Sequence, residues 1–325
     1  MTIANRCAVL GRPIAHSLSP VLHNAAYRAL GLDDWEYGRH DVGEEDLDAF
    51  LRGLDPSWRG LSLTMPLKRT IQPYGTPSNL WARELGVANT AVLDWTSRAG
   101  EGPWADGPAV KLYNTDVIGI VLAQDHADRE LGAPSRASKD ATALVIGNGN
   151  TAASAVAALT MRPGVAHVTV AARTPGKNPT TRRVAERFIR SAAAYDEIAL
   201  DDAEALRARA AEAAYVINTI PGHAADGVAG MLDHGAFGED GLPGLLLDVV
   251  YDPRPTRLMH VWRARGGHAV GGEEMLLYQA LVQVLLMTGE WDGDPPSDAE
   301  RRLLDVTTDD DGLEIAMRRA LEEAL

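Results

Sequence analysis

The most constraining feature of the chain is an apolar run that breaks into a glycine turn. Ala143-Leu144-Val145-Ile146 reads as a continuous apolar strand, the pattern of a parallel strand covered on both faces. Gly147-Asn148-Gly149-Asn150-Thr151-Ala152 follows directly and opens an Ala-rich helix that runs to about Met161. A Gly-x-Gly-x-x-Gly/Ala match says little by itself, but between a strand and a helix it has a mechanical meaning. Gly147 permits the tight turn, Gly149 lets backbone approach a pyrophosphate, and Ala152 lets the helix pack closely on the strand. The helix N-terminus, with Asn148, Asn150 and Thr151 around it, offers free N–H groups and positive dipole character to phosphates. The segment reads as a dinucleotide-binding unit.

The rest of that unit follows. His167–Ala171 reads as a second strand, and Tyr215–Asn218 and Leu245–Val250 as two more, with helical material between them. Alternating strand and helix implies a parallel sheet with right-handed crossovers. An NAD site places Asp or Glu at the end of the second strand to accept from the ribose 2′-hydroxyl. This chain has Ala172-Arg173-Thr174-Pro175-Gly176-Lys177 there, with no carboxylate. Arg173 and Lys177 would be drawn to a 2′-phosphate, so NADP is favoured over NAD.

The first ~115 residues also alternate strand and helix. Cys7–Leu10 reads as a strand, followed by a turn at Gly11-Arg12-Pro13. Ser19 is read as an N-cap with Pro20 in the first helical position, and Gly31 as the stop. Glu44–Leu54 reads as an amphipathic helix, and Gly60–Thr64 as a strand running into Met65-Pro66-Leu67-Lys68. Asp94–Val110 and Asp125–Asp140 read as loops or a surface hairpin, the second approaching a domain boundary. From Glu273 the chain reads as helical in about three pieces. Their amphipathic pattern at Leu303, Leu304, Leu313, Ile315, Ala316 and Leu321 predicts packing on the first domain or on a second subunit.

Composition excludes several classes. With 31 basic against 45 acidic residues the net charge is −14, which opposes nonspecific attraction to nucleic acid or an anionic membrane. An anionic ligand needs a local cluster of donors. Cys7 is the single cysteine, so no internal disulfide forms, and a buried inert thiol in a reducing compartment is expected. No signal peptide is read at the N-terminus, and Met275–Met287, interrupted by Gln279 and Gln283, is too short to span a bilayer. A cytoplasmic location is expected. The remaining histidines lack metal-ligand spacing, and no Ser–His–Asp arrangement or metal site is read.

Two polar groups stand at strand-to-helix turns. Lys68 follows Thr64-Met65-Pro66, and a lysine on a helix's first turn opposes the helix dipole, which suits it to proton transfer. Asp116 lies in Tyr113-Asn114-Thr115-Asp116 before the apolar Val117–Leu122 and, taken alone, reads as an N-cap.

Together these motifs resemble the shikimate dehydrogenase family. Its pattern Gly-x-Pro-Ile-x-His-Ser-x-Ser-Pro is matched by Gly11, Pro13, Ile14, His16, Ser17, Ser19 and Pro20. Its Asn-Val-Thr-x-Pro-x-Lys segment resembles Ser62–Lys68, and Ala88-Asn89-Thr90 and Asn114-Thr115-Asp116 resemble its two Asn-Thr turns. Asp248, Tyr251, Pro253 and Thr256 match a late strand-and-turn signature, and Gly272, Met275, Leu276 and Gln279 match the return to the first domain. The resemblance spans about residues 7–288.

The resemblance implies a two-domain α/β protein. Residues 1–115 and 272–325 would form a substrate-binding domain, and residues 116–271 a Rossmann-type NADP-binding domain, with C-terminal helices returning to the first. It implies NADPH-dependent, reversible reduction of 3-dehydroshikimate to shikimate on the route to chorismate and the aromatic amino acids. Lys68 and Asp116 would be the catalytic pair. Ser17 and Ser19 would hold the substrate carboxylate, and Thr64, Asn89, Asp116 and Gln279 its ring hydroxyls, with Tyr251 nearby. Gly147 to Ala152, Arg173, Thr174, Lys177, Thr219, Val249, Gly272 and Met275 would meet the cofactor, Gly272 by letting backbone approach the nicotinamide. The partners implied are small molecules, in a monomer or homodimer.

Several positions depart from the pattern. Ser62 stands for the usual Asn, Asn150 for a second glycine, Ala172 for an Asn, and Glu273 and Glu274 for apolar or Gly residues. The middle two would weaken cofactor binding. Alternatives are a quinate/shikimate dehydrogenase with relaxed substrate or NAD use, and a catalytically silent relative, whose mark would be loss of Lys68 or Asp116.

Overall fold

The computed structural model describes residues 2–132, 140–191, 193–234, 241–291 and 312–325. The chain divides into two units, Met1–Asp116 with Leu276–Leu325, and Val117–Met275.

The first unit carries β1 (Asn5–Gly11), α1 (Ser19–Ala29), β2 (Trp35–Asp41), α2 (Leu47–Arg52), β3 (Trp58–Leu63), α3 (Leu67–Thr70), β4 (Thr76–Pro77), α4 (Leu80–Leu85), β5 (Thr90–Arg98) and β6 (Pro108–Tyr113). The six strands form one mixed sheet in the order β2-β1-β3-β5-β6-β4. β1 runs parallel to β2 and β3, while β5 is antiparallel to both β3 and β6. The Asp94–Val110 segment is therefore the hairpin of β5 and β6. One face of the sheet buries Leu10, Leu61, Leu63, Leu67, Ile71 and Leu112 in a core shared with α2.

The helix read from Ser19-Pro20 forms, one residue out of register. Ser19 is its first helical residue, Leu18 occupies the N-cap without a side-chain cap, and the Ser17 hydroxyl accepts the Ser19 N–H at 3.4 Å. The capping role assigned to Ser19 thus shifts two residues upstream, within the usual uncertainty of helix ends.

The second unit begins in α5 (Asp116–Glu130) and continues through β7 (Ala141–Ile146), α6 (Asn150–Thr160), β8 (Val165–Ala172), α7 (Pro179–Phe188), β9 (Tyr195–Ala199), α8 (Ala203–Glu212), β10 (Ala213–Asn218), α9 (Asp226–Asp233), β11 (Leu245–Asp248), α10 (Arg257–Ala264) and β12 (His268–Val270). Its sheet, β12-β11-β10-β7-β8-β9, is parallel throughout. β7 and β11 are buried along nearly their whole length, as their unbroken apolar sequences require. The outer strands β9 and β12, short and partly exposed, have no such signature.

The reading of Asp125–Asp140 as loop is corrected in its first part, where α5 continues to Glu130; residues 133–139 lie outside the described set. The charges that suggested solvent are neutralised internally. Arg162, buried at the end of α6, pairs with Asp125 and lies 2.7 Å from Asp128 and 2.8 Å from the Tyr215 hydroxyl. A buried arginine held on several sides offsets the loss of its hydration.

α11 (Gly272–Thr288) is buried on all sides from Leu277 to Met287, apolar there apart from Gln279, Gln283 and the Tyr278 hydroxyl. Gly272 opens it in a space without room for a side chain: a Cβ there would lie 2.2 Å from the Val249 carbonyl oxygen. The fold itself demands this glycine, whatever else approaches it. The last described helix, Leu313–Ala324, packs against α1. It buries Glu314, Met317 and Leu321, not the full stripe read from sequence, and Leu303 and Leu304 fall outside the described residues. Tyr278 donates to Glu314 at 2.8 Å, and Arg318 reaches the same carboxylate at 2.9 Å.

Cys7 is buried in β1, where loss of hydration pushes its thiol up to about 12, consistent with an inert packing residue. His23 on α1 is fully buried, its ring stacked on Tyr37 with centroids 3.8 Å apart and its Nε2 at 3.3 Å from Gln283. Burial disfavours the imidazolium and lowers its pKa from 6.5 to about 3, against a smaller raising effect of the Gln283 contact. The unfolded chain binds a proton here below pH 6.5 and the folded chain does not, so this stabilisation is complete above 6.5 and is lost as the pH falls towards 3. The slope is on the order of 1 kcal/mol per pH unit.

Urea unfolding at neutral and acidic pH tests this. Wild type should lose stability towards acid more steeply than His23→Gln, which takes up no proton, and equal slopes would remove His23 from the linkage. Gly272→Ala should lower stability by about 1–3 kcal/mol through forced backbone displacement; an unchanged melting temperature would contradict the close approach to Val249.

Candidate functional site

In the first unit, one end of the sheet gathers most of the predicted polar residues. The segments after the parallel strands β1 and β3 leave the sheet side by side. They are tied by Thr64 N–H to the Leu10 carbonyl at 2.9 Å and Arg12 N–H to the Met65 carbonyl at 3.0 Å. Ser17 and half-buried Thr64 lie on these segments, and buried Ser19 opens α1. A residue not singled out from sequence supports them: Arg39 on β2 donates to the Ala15 carbonyl at 2.5 Å and the Ser17 carbonyl at 3.4 Å. Arg12 in turn bridges Asp41, Glu45 and Asp46.

Asn89 reaches the same end from the start of β5, its carbonyl accepting the Leu63 N–H at 2.7 Å. Asp116 arrives at the head of α5, and Lys68 on the single turn α3. Lys68 Nζ lies 2.6 Å from Asp116 Oδ2, with side chains 19% and 7% exposed. Asn89 Nδ2 lies 2.8 Å from the other carboxylate oxygen, 2.9 Å from Thr115 Oγ1 and 3.3 Å from Gln279 Oε1, its two protons shared among these acceptors, while its Oδ1 accepts the Thr115 N–H at 2.8 Å. Asn89 is therefore heavily committed within the protein. Lys68, Asp116, Asn89 and Gln279 form one connected cluster. An ammonium has three donors; one goes to Asp116, leaving two for a bound oxygen.

Ser62, where the family pattern has Asn, is 4% exposed; its hydroxyl accepts from Tyr37 at 2.5 Å and donates to Gln283 Oε1 at 2.9 Å. Neither Tyr37 nor Gln283 carried a sequence signal beyond Gln283 interrupting an apolar run.

The second unit holds the glycine turn. Gly147 has φ +108°, and a Cβ there would lie 2.4 Å from Thr219 Oγ1, which itself donates to the Ile146 carbonyl at 2.9 Å. Gly149 stands at the N-cap of α6 with open space where a side chain would be, and Ala152 is fully buried against the sheet. The Asn148 amide is buried with neither polar atom partnered, an arrangement that calls for a polar ligand. Asn150 and Thr151 form the first turn of α6. Arg173, Thr174 and Lys177 are exposed on the turn after β8. Asn178 Nδ2 joins that turn to the Gly149 carbonyl at 3.2 Å, and Glu197 on β9 accepts the Gly176 N–H at 2.6 Å. The open turn, the unpartnered amide and the exposed cations together fit a phosphorylated dinucleotide.

Val249 and Met275 belong to this unit, as does half-buried Tyr251, whose phenol burial pushes up. Burial also raises the carboxyl of Glu273, which lies 3.6 Å from Arg254. No cluster able to hold a metal ion occurs among the described residues, and no helix among them is long and apolar enough to cross a membrane.

Residues 9–91 match the family model for the shikimate dehydrogenase substrate binding domain. The chain is 35% identical to a shikimate dehydrogenase (NADP(+)) of Rubrobacter xylanophilus, over 91% of this chain and 94% of that protein. It superposes on the crystal structure of Mycobacterium tuberculosis shikimate dehydrogenase with a TM-score of 0.74 and 34% identity, covering 98% of this chain and 99% of that one. The shikimate 5-dehydrogenase of Thermus thermophilus, solved in complex with NADP(H) and shikimate, matches with a TM-score of 0.63 and 27% identity, over 97% and 99% of the two chains. With the sequence motifs, the parallel sheet of the second unit and these near full-length matches in agreement, the chain belongs to the shikimate dehydrogenase family.

Proposed function

We propose that the chain is an NADP-dependent shikimate dehydrogenase, catalysing the reversible reduction of 3-dehydroshikimate to shikimate. The observation that carries this reading is the Lys68–Asp116 pair at 2.6 Å, held in place by Asn89. Both residues whose loss would mark a silent relative are present and in contact. The unit Met1–Asp116 with Leu276–Leu325 would take the substrate, and Val117–Met275 the cofactor.

NADPH, when bound, supplies the hydride. Gly147, Asn148, Gly149, Asn150, Thr151 and Ala152 would hold its pyrophosphate at the head of α6, and Arg173, Thr174 and Lys177 its 2′-phosphate. Thr219, Val249, Gly272 and Met275 would complete that pocket. Lys68 carries the proton chemistry: its ammonium donates to the ketone oxygen, polarises the carbonyl, and gives up one proton as the alcohol forms. Asp116, in contact with Nζ at 2.6 Å, aims the ammonium. In the oxidative direction Lys68 Nζ takes the hydroxyl proton back. Ser17 and Ser19 would receive the substrate carboxylate. Thr64, Asn89, Gln279 and Tyr251 would contact its polar groups, Asn89 largely through its hold on Asp116. Each buried hydrogen bond left unmade by a wrong substrate costs about 1–3 kcal/mol, which is how such a site selects.

The test is absorbance at the reduced-nicotinamide band with shikimate or quinate and NADP+ or NAD+. Turnover of shikimate with NADP+ is expected, and none in wild type would end the reading; faster turnover of quinate would reassign the substrate. Lys68→Ala should lower kcat by roughly 100- to 10,000-fold, the range for loss of a general acid; near-wild-type turnover would dismiss the assigned chemistry. Arg173→Ala should raise KM for NADP+ about tenfold or more, the scale of one charge-assisted hydrogen bond, and leave KM for NAD+ unchanged. Equal losses with both cofactors would place Arg173 away from the 2′-phosphate.

A further inference from the structure

Gln283 lies one turn along α11 from Gln279 and is 1% exposed. Its orientation is fixed by chemistry. A backbone carbonyl only accepts, so the Gln283 atom 3.2 Å from the Asn89 carbonyl is Nε2, and Oε1 is left to face Ser62 Oγ at 2.9 Å and the His23 ring at 3.3 Å. His23 therefore carries its proton on Nε2. Tyr37 donates to Ser62 at 2.5 Å, which directs the Ser62 proton to Gln283. The second amide N–H of Gln283 meets Thr90 Oγ1 at 2.9 Å, and Thr90, having accepted there, donates to Asn89 Oδ1 at 3.0 Å. The result is a buried hydrogen-bond chain with a single direction, from Tyr37 and His23 through Gln283 and Thr90 to Asn89. Asn89 then closes on Asp116 Oδ1 at 2.8 Å, opposite Lys68.

We propose that Gln283 is a positioning residue for the Lys68–Asp116 pair. It grips Asn89 twice, directly at the backbone carbonyl and through Thr90 at the side-chain oxygen. Asn89 in this fixed rotamer presents its Nδ2 to Asp116 and holds the carboxylate face towards Lys68. Such buried networks fix one geometry when every member is satisfied and lose it when one member fails. Ser62 belongs to this scaffold: its hydroxyl is spent on Gln283, with Tyr37 behind it, so its contribution to the reaction is support of Asn89 and not a hydrogen bond to the ring. The inference rests on Lys68 and Asp116 being the reacting pair.

Three variants test it: Gln283→Leu, Thr90→Val, which keeps the shape and removes the hydroxyl, and Thr90→Ser, which keeps the hydroxyl. In Gln283→Leu and Thr90→Val, kcat for shikimate oxidation should fall about tenfold or more while KM for NADP+ stays within about twofold, the pattern of lost orientation in the reacting pair alone. Thr90→Ser should recover most of the loss. A second readout does not depend on turnover: acylation of Lys68 by an amine-directed reagent, followed by peptide mass spectrometry. Its rate should rise several-fold in Gln283→Leu and Thr90→Val and remain at the wild-type level in Thr90→Ser. Wild-type kcat and labelling in folded Thr90→Val would overturn the proposal, as would equal losses in Thr90→Ser and Thr90→Val, which would mark a packing effect. If Gln283→Leu fails to fold, the Thr90 pair decides. If wild type does not turn over shikimate, the proposed activity fails, and the labelling series still decides whether Gln283 and Thr90 position Lys68.

Discussion

A carboxylate that is 5% exposed has to be answered by its surroundings, and Asp116 is such a group. Removing a charge from water costs several kcal/mol unless a partner and hydrogen-bond donors replace the lost hydration. Lys68 supplies the charge at one oxygen and Asn89 a donor at the other. These groups come from the turn after β3, the start of β5 and the head of α5, and the support for Asn89 comes from α11, far along the chain. The antiparallel insertion of β5 beside β3 brings Asn89 to the end of the sheet where Lys68 emerges. A wholly parallel sheet would start β5 at the opposite end. The mixed topology of this unit and the charge pair are thus one design problem with one solution.

In the second unit, glycines that look alike in sequence answer to different constraints. Gly147 is hemmed in by Thr219, and Gly272 by the carbonyl of Val249. Both are required by packing within the protein. Gly149 alone among the three faces open space, so its missing side chain is the one that a ligand would exploit. The nearby Asn148 amide, buried without a partner, is the polar group of the same turn that such a ligand would satisfy.

The sequence made local things legible and hid distant ones. The strand–turn–helix at Ala143–Met161 was readable because burial on both faces forces an unbroken apolar run. The motifs of the first unit were readable through resemblance, and Lys68 and Asp116 could be named together before the fold placed them in contact. Partner identity was not readable. Asp125 and Asp128 looked like solvated charges because Arg162 lies more than thirty positions away. Ser62 showed only as a departure from the family's Asn because nothing local announces Tyr37 and Gln283. The edge strands β9 and β12, half-exposed and short, lack the alternation that would have marked them, and Glu197 and Asn178 acquire meaning only once β9 lies beside β8. A capping assignment at Ser19 missed by a small step because two serines, each able to accept an N–H, stand two residues apart.

The discontinuity of the first unit has a consequence for its birth on the ribosome. The second unit is one uninterrupted stretch, Val117–Met275, whereas the first needs Leu276–Leu325 as well. Until those residues emerge, α1 has neither the helix Leu313–Ala324 across its surface nor Gln283 against His23. Synthesis therefore completes Val117–Met275 while the first unit still waits for Leu276–Leu325. The residues of α1, translated before the second unit, are secured only after it, and the apolar face of α1 is the surface a chaperone would meet in the interval.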